Sequence, residues 1–160
     1  MFNHGWTPMN TDMAHMNQPE YDNDFPTCAE TYSTLRIFAD EISAAEITNA
    51  LGIAPAKSFL KGEPHGTGLF RKAHGWFYST KKLTQSKVTR RHIDLILEIL
   101  DGKGEAIKAL RQRGCKLDIM SYWQSYGQGG PALWPHQMQK LGALEIEIWW
   151  DIYFAKKDSA

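Results

Sequence analysis

The sequence lacks the features that would place it in a specialised class of protein. Its two cysteines, Cys28 and Cys115, are far apart, form no C-x-x-C pair and cannot build a disulfide framework, so both are predicted to be free thiols. No apolar run approaches the length of a membrane span, and the N-terminus has neither the basic flank nor the apolar segment of a secretory signal. A cytoplasmic protein without membrane association is the simplest interpretation.

The chain also lacks an excess of either charge, because 18 basic and 18 acidic residues cancel. The charges are nevertheless segregated: residues 1–56 hold eight acidic residues and one basic, whereas residues 57–91 hold nine basic and one acidic. This basic block could bind phosphates. We favour a solvated surface whose positive charge balances that of the acidic N-terminal third, since nucleic-acid-binding proteins usually carry net positive charge. Nucleic acid is therefore a disfavoured partner.

Composition divides the 160 residues into one domain with two short ends. Residues 1–29 are rich in Asn, Met, Thr, Pro and Asp without a hydrophobic period, and they are predicted to form a flexible N-terminal extension. Residues 30–156 are predicted to form a single domain, and residues 157–160 are a short polar C-terminus.

One helix start is specified unusually completely. Ser43 and Glu46 have the spacing of a capping box, and Ile42 and Ile47 have that of a hydrophobic staple. Gly52 is expected to end this helix. Other patterns predict strands near residues 31–39, 74–80, 115–126 and 144–153 and helices near 86–101, 104–113 and 135–141, the last closed by Gly142. This order predicts an α+β fold with a mixed, mainly antiparallel sheet, helices on one face and ferredoxin-like elements.

Short motifs follow one another through nearly all of the predicted domain: Ala39-Asp-Glu-Ile42, Glu46-Ile-Thr-Asn-Ala-Leu-Gly-Ile53, Pro55-Ala-Lys-Ser58, Lys61-Gly-Glu-Pro64, Gly75-Trp76, the apolar helix Ile93 to Leu100, Gly129-Gly-Pro-Ala-Leu133 and Leu144 to Tyr153. In order and spacing they resemble a bacterial family catalogued only as domain of unknown function 4279. The resemblance implies no established activity, so no catalytic or binding residue is carried over. Trp134 stands where the family pattern often has a small hydroxyl residue, which puts local helix capping in doubt.

The glycine-rich stretch between Tyr122 and Pro135 is the best place for a binding site. Its glycines let the backbone approach a ligand closely, and its aromatic residues offer flat faces with polar edges. Trp134 has no side-chain acceptor for an N-cap, so the first amides of the next helix could hold water or an anion. The sequence matches the dinucleotide-binding pattern G-x-G-x-x-A in this stretch. We reject such a site because Pro131 stiffens the turn and the sequence has no second mononucleotide-binding half.

The leading hypothesis is a non-enzymatic binding domain with a groove between the Lys57 to Trp76 segment and the Tyr122 to Trp134 loop. Its ligand would be a small anion or a protein partner, without a cofactor, a metal or catalytic residues. Trp123 and Trp150 are expected in the core, and Glu145, Glu147 and Asp151 on a solvated sheet face. The predicted binding residues are Lys61, Arg71, Trp76, Tyr122, Tyr126, Gly127, Gly129, Gly130 and Trp134.

Three other functions remain open at this stage. The chain could be an immunity-type protein that neutralises a toxin, because small single domains of varied sequence do this. It could be a small enzyme that acts on an anionic substrate through His65 or His74 together with Tyr126. It could also bind nucleic acid through residues 57–91.

Overall fold

Five strands and four helices make up the part of the chain that the computed structural model describes, which is residue 21 and residues 23–155. The strands are β1 (Cys28–Ala39), β2 (Lys57–Phe59), β3 (His74–Ser79), β4 (Lys116–Ser125) and β5 (Glu147–Phe154). The helices are α1 (Ala44–Leu51), α2 (Thr89–Ile99), α3 (Gly104–Gln112) and α4 (Pro135–Ala143). The predicted single-domain α+β fold is confirmed. No helix of this part of the chain is long and apolar enough to cross a membrane.

The strands form one mixed sheet in the order β2-β3-β1-β4-β5. The first four strands pair antiparallel, and β5 pairs parallel with β4. β1 to β4, with α1 and α2 between them, have the order of a ferredoxin-like fold, in which β3 lies between the parallel strands β1 and β2. The unit of α4 and β5 extends this sheet at the β4 edge.

Alternation along the central strands separates a helix-covered face of the sheet from an open one. Leu35 and Ile37 of β1 and Leu117 and Ile119 of β4 point to the same side and are buried, together with apolar residues of all four helices. Apart from the buried Thr34, the intervening residues are half-buried or exposed on the other side. The predicted packing of the helices on one face is confirmed, and the opposite face has no helix over it in the described chain.

Local sequence fixes α1 as predicted. The Ser43 side chain accepts a hydrogen bond from the Glu46 amide, and the Glu46 carboxylate accepts one from the Ser43 amide at 2.9 Å. Hydrogen bonds from Ser43 and then from Arg113 lower the pKa of Glu46 to about 2. Gly52 ends the helix in the left-handed region, with φ of 66°.

The end of α4 differs from the prediction. The helix continues through Gly142 to Ala143, and the chain then turns at Glu145, whose φ is 52°. Ile146 is buried, and β5 begins only at Glu147. The Arg111 guanidinium donates to the Leu144 and Glu145 carbonyls and holds the turn. The expected strand start at Leu144 is therefore wrong, because a turn precedes the alternating segment.

Packing begins before the predicted domain boundary at residue 30. Cys28 is already a buried strand residue, and the ring of Phe25 meets that of Trp123 edge-on at a centroid distance of 5.3 Å. Both cysteines are buried free thiols, as predicted, and burial raises the pKa of Cys28 to about 11. The rest of the predicted extension, residues 1–20 and 22, and the end from residue 156 lie outside the described residues.

Candidate functional site

The predicted groove is wrong, because its two sides lie at opposite ends of the sheet. The start of β3 pairs with the end of β1, where His74 faces Ala39. The loop after β4 lies at the start of β1, where the Tyr126 amide donates to the Thr27 carbonyl at 2.9 Å. Twelve residues of β1 separate these points, which corresponds to about 40 Å. A single small ligand cannot touch both the start of β3 and the loop after β4.

The predicted binding residues before β4 do not converge on a site. Trp76 is fully buried, and its indole N–H donates to the Thr48 hydroxyl at 3.0 Å. The Lys61 ammonium lies 3.1 Å from the Asp40 carboxylate, and the Arg71 guanidinium lies over the Phe59 ring. Trp76 therefore belongs to the core. The proposed enzyme site also fails, because His65 and His74 lie near this end of the sheet and Tyr126 lies at the other.

Groups of the glycine-rich loop that the sequence suggested could bind a ligand have partners within the protein. Gly129 has φ of 107°, and a Cβ there would lie 3.0 Å from the Thr27 hydroxyl, so the turn itself requires glycine. Trp134 makes no side-chain cap, as expected, but the Gln137 side chain accepts from the Trp134 amide and the Gln137 amide donates to the Trp134 carbonyl. Ligand binding by Gly127, Gly129 and Gly130 stays a prediction.

A polar cluster lies beside this loop, in a cleft of about 180 Å³ between α2 and α4. The Asp94 carboxylate accepts from the Gln137 amide at 2.8 Å and from the Tyr21 hydroxyl, and the His136 imidazole lies 3.7 Å away. Trp134 packs between the Tyr21 ring and the Arg90 guanidinium. These contacts hold α4 and the segment around Tyr21 against α2, so we interpret the cluster as structural.

The basic block of residues 57–91 does not gather into one patch. Three of its lysines pair with acidic residues of the N-terminal third: Lys61 with Asp40, Lys81 with Glu30 and Lys87 with Asp24. These pairs lie at both ends of the sheet. These ion pairs agree with the interpretation that the positive charge of the block balances the acidic N-terminal third. Nucleic acid stays a disfavoured partner.

The open face carries an aromatic surface, of which only Tyr122 is among the predicted binding residues. Tyr32 of β1 stacks on Tyr122 of β4 at a centroid distance of 4.9 Å, and Tyr122 stacks on Tyr153 of β5 at 5.4 Å. Trp149 lies two residues from Asp151, the register partner of Tyr122, on the same side of the sheet. We call Tyr32, Tyr122, Trp149 and Tyr153 the open-face aromatic surface. Trp149 is 56% exposed and Tyr153 is 49% exposed.

Polar groups at its edge fix the rings of this surface. The Trp149 indole donates to Glu147 at 3.0 Å, the Tyr153 hydroxyl donates to Asp151 at 3.3 Å, and the Lys81 ammonium lies 4.6 Å from the Tyr32 centroid. Burial raises the pKa of Tyr32, and the hydrogen bond to Asp151 raises that of Tyr153. Both phenols therefore keep their protons at neutral pH, and the proton of Tyr153 is donated to Asp151.

The sequence contains the aromatic residues of this surface, but it does not show that the strands that carry them are neighbours. Aromatic residues alternate with core positions in three strand patterns, and they meet only when those strands are neighbours. Trp150 was expected in the core, but it is 36% exposed, because β5 is an edge strand and the helices do not reach over its end. Trp123, by contrast, is buried as predicted.

Comparison with known proteins agrees with the resemblance seen in the sequence. No curated protein and no solved structure matches the chain. A family model described as "Domain of unknown function (DUF4279)" matches residues 29–155, which include nearly all of β1 and every other strand and helix of the described chain. The chain therefore belongs to the DUF4279 family.

Proposed function

We propose that this chain is a non-enzymatic protein-binding domain that recognises its partner through the open-face aromatic surface. The observation that supports the proposal is the exposure of Trp149 and Tyr153 beside the stacked rings of Tyr122 and Tyr32, on a sheet face that no helix of the described residues covers. Large exposed patches of apolar surface mark interaction sites, and aromatic residues are enriched there because they are apolar with polar edges.

The surface is suited to a protein partner in its shape and its chemistry. It lies on the face of a sheet, whereas small-molecule sites are usually concave and bury most of the ligand. Stacking and edge hydrogen bonds already hold the rings in place, so binding costs little side-chain entropy. We expect a partner with an apolar centre and a rim of hydrogen-bonding groups.

The test begins with a photo-reactive amino acid at position 149 and, as a control, at position 69. Leu69 is equally exposed but lies in the loop between β2 and β3. The label at position 149 is expected to cross-link one defined protein in the cells that make this chain, whereas the label at position 69 is not. Identical cross-links from both positions would contradict the proposal.

The identified partner then allows the surface to be measured. Trp149→Ala should weaken binding by about thirtyfold, which corresponds to the roughly 2 kcal/mol of a hot-spot residue, and Leu69→Ala should leave it unchanged. Unchanged affinity for Trp149→Ala would refute the proposed surface. An immunity-type role would be one form of this function and stays a prediction, as does a small anionic ligand at the glycine-rich loop.

A further inference from the structure

No other strand of the described chain pairs with the outer edge of β5, which carries apolar side chains on the helix side of the sheet. Ile152 is 51% exposed and Phe154 is 80% exposed, and Trp150 lies on the same side. Within the described chain, β4 is the only strand or helix with which β5 makes extensive contact. Long apolar edge strands are rarely left open in natural proteins, because they pair readily with another strand.

The backbone of the same three residues faces away from the sheet. The Ala155 amide donates to the Ser125 carbonyl of β4 at 2.8 Å, so odd-numbered residues at the end of β5 direct their backbone groups toward β4. The amides and carbonyls of Trp150, Ile152 and Phe154 therefore point outward. Each of the three offers a partner strand both an apolar side chain and a pair of free hydrogen-bonding groups.

The geometry points to a second copy of this chain as the occupant, paired antiparallel along β5 about a two-fold axis at Ile152. Such an axis, normal to the sheet, places helix-side residues opposite helix-side residues. Trp150 then faces Phe154, and Ile152 faces its own counterpart. The two five-stranded sheets become one continuous sheet.

Charge and exposure disfavour two other registers of the same antiparallel pairing. An axis at Asp151 would place two carboxylates directly opposite each other, which is destabilising. An axis at Trp150 would place the exposed Phe154 opposite Ile146, which is already buried. With the axis at Ile152, Asp151 faces Tyr153, and every helix-side ring meets an apolar side chain.

The two-fold register keeps the carboxylates of β5 apart. Glu147 and Asp151 are the charged residues of this strand; Asp151 faces Tyr153, and Glu147 lies outside residues 150–154, which pair with their counterparts. The paired edge therefore consists mainly of apolar side chains, which a second β5 matches in number and spacing. Trp149 lies on the open face, so this inference does not depend on the proposed function, and the dimer presents both open-face aromatic surfaces on one side.

The test is charge complementation at the axis in the full-length chain. The native protein is expected to have twice the 18.2 kDa mass of one chain in analytical ultracentrifugation. Ile152→Lys alone and Ile152→Glu alone should each be monomeric, because like charges meet at the axis, and an equimolar mixture of the two should recover the dimer. Leu69→Lys, an exposed residue away from β5, should remain dimeric, and circular dichroism checks that each variant is folded.

Three results would overturn the inference. They are a native chain that stays monomeric at all concentrations, a dimer that survives Ile152→Lys, and a mixture of the two charge variants that stays monomeric. Trp149→Ala should leave the dimer intact while it weakens the proposed partner, so failure of the two proposals can be told apart.

Discussion

At the scale of single residues, Gly75 is a position of the open face that has no room for a side chain. Phe59 pairs with Gly75 across β2 and β3, and a Cβ at position 75 would lie 2.1 Å from the Phe59 ring. The ring is itself held between Phe77, edge-on at 5.3 Å, and the Arg71 guanidinium. The absence of a side chain at position 75 thus lets Phe59 lie flat across β3.

We therefore predict that Gly75→Ala destabilises the fold by about 1 to 3 kcal/mol, the usual cost of overpacking. Gly127→Ala is the matched control, because a Cβ at position 127 would meet nothing within 4 Å. Urea unfolding of both variants measures the difference. Equal stability of the two would mean that Phe59 moves aside without cost.

His92 is a second residue whose surroundings determine its chemistry. It is fully buried, and its Nε2–H donates to the Ser86 carbonyl at 2.8 Å, since a carbonyl can only accept. Nδ1 is then free to accept from the Thr80 hydroxyl at 2.6 Å. Burial lowers the pKa of His92 below its ordinary value of 6.5.

The lowered pKa predicts a pH-dependent stability. As pH falls through 6.5, the unfolded chain takes up a proton at His92 before the folded chain does, so the free energy of unfolding falls. The stabilisation by the neutral ring is fully present above this pH and is lost below it. His92→Gln should flatten the change in urea midpoint across pH 6.5. An unchanged pH profile would show that His92 is protonated equally in both states.

At the scale of elements, α1 depends on its first turn. Ser43→Ala removes the side-chain acceptor for the Glu46 amide and should cost about 1 kcal/mol in the free energy of unfolding. Ser58→Ala, at an exposed position of β2, is the control and should have little effect. Thermal unfolding of the two variants distinguishes them. A loss no larger than that of the control would mean that packing of Ile47 and Leu51 alone secures the helix.

The two ends of α1 could be predicted from the sequence, whereas the end of α4 and the surroundings of strands could not. The interactions that start and end α1 lie within ten residues of one another, so Ser43, Glu46 and Gly52 suffice to define them. The alternation of β5 was equally clear, but alternation is the same in a central strand and an edge strand. Whether Trp150 is buried depends on a neighbour that only the sheet order supplies.

At the scale of the whole molecule, the failed groove illustrates the same limit. The Lys57 to Trp76 segment and the Tyr122 to Trp134 loop were expected to form one groove. Instead, they lie toward opposite ends of β1. The α+β class with ferredoxin-like elements was predictable from the succession of strands and helices, whereas the order of the strands in the sheet was not. Which end of the sheet each loop occupies follows from strand direction, and the open-face aromatic surface follows from strand adjacency.

Overall charge leads to a prediction about solubility. The formal net charge is zero and the isoelectric point is about 7.0, so electrostatic repulsion between molecules is weakest near neutral pH. Solubility of the full chain should be lowest near pH 7 and should rise on either side, as light scattering would measure. Lys72→Glu, at an exposed position, should move the minimum to lower pH. A minimum that does not move would assign the effect to apolar contacts.

The parallel attachment of β5 has a mechanical consequence. Cys28 at the start of β1 and Phe154 at the end of β5 both lie beside Ser125, two strand spacings or about 10 Å apart. A force that pulls these two points away from each other acts across the strands and loads their hydrogen bonds one at a time. The sheet is then expected to unzip rather than shear, so the domain should yield to low forces along this direction even where its thermal stability is high.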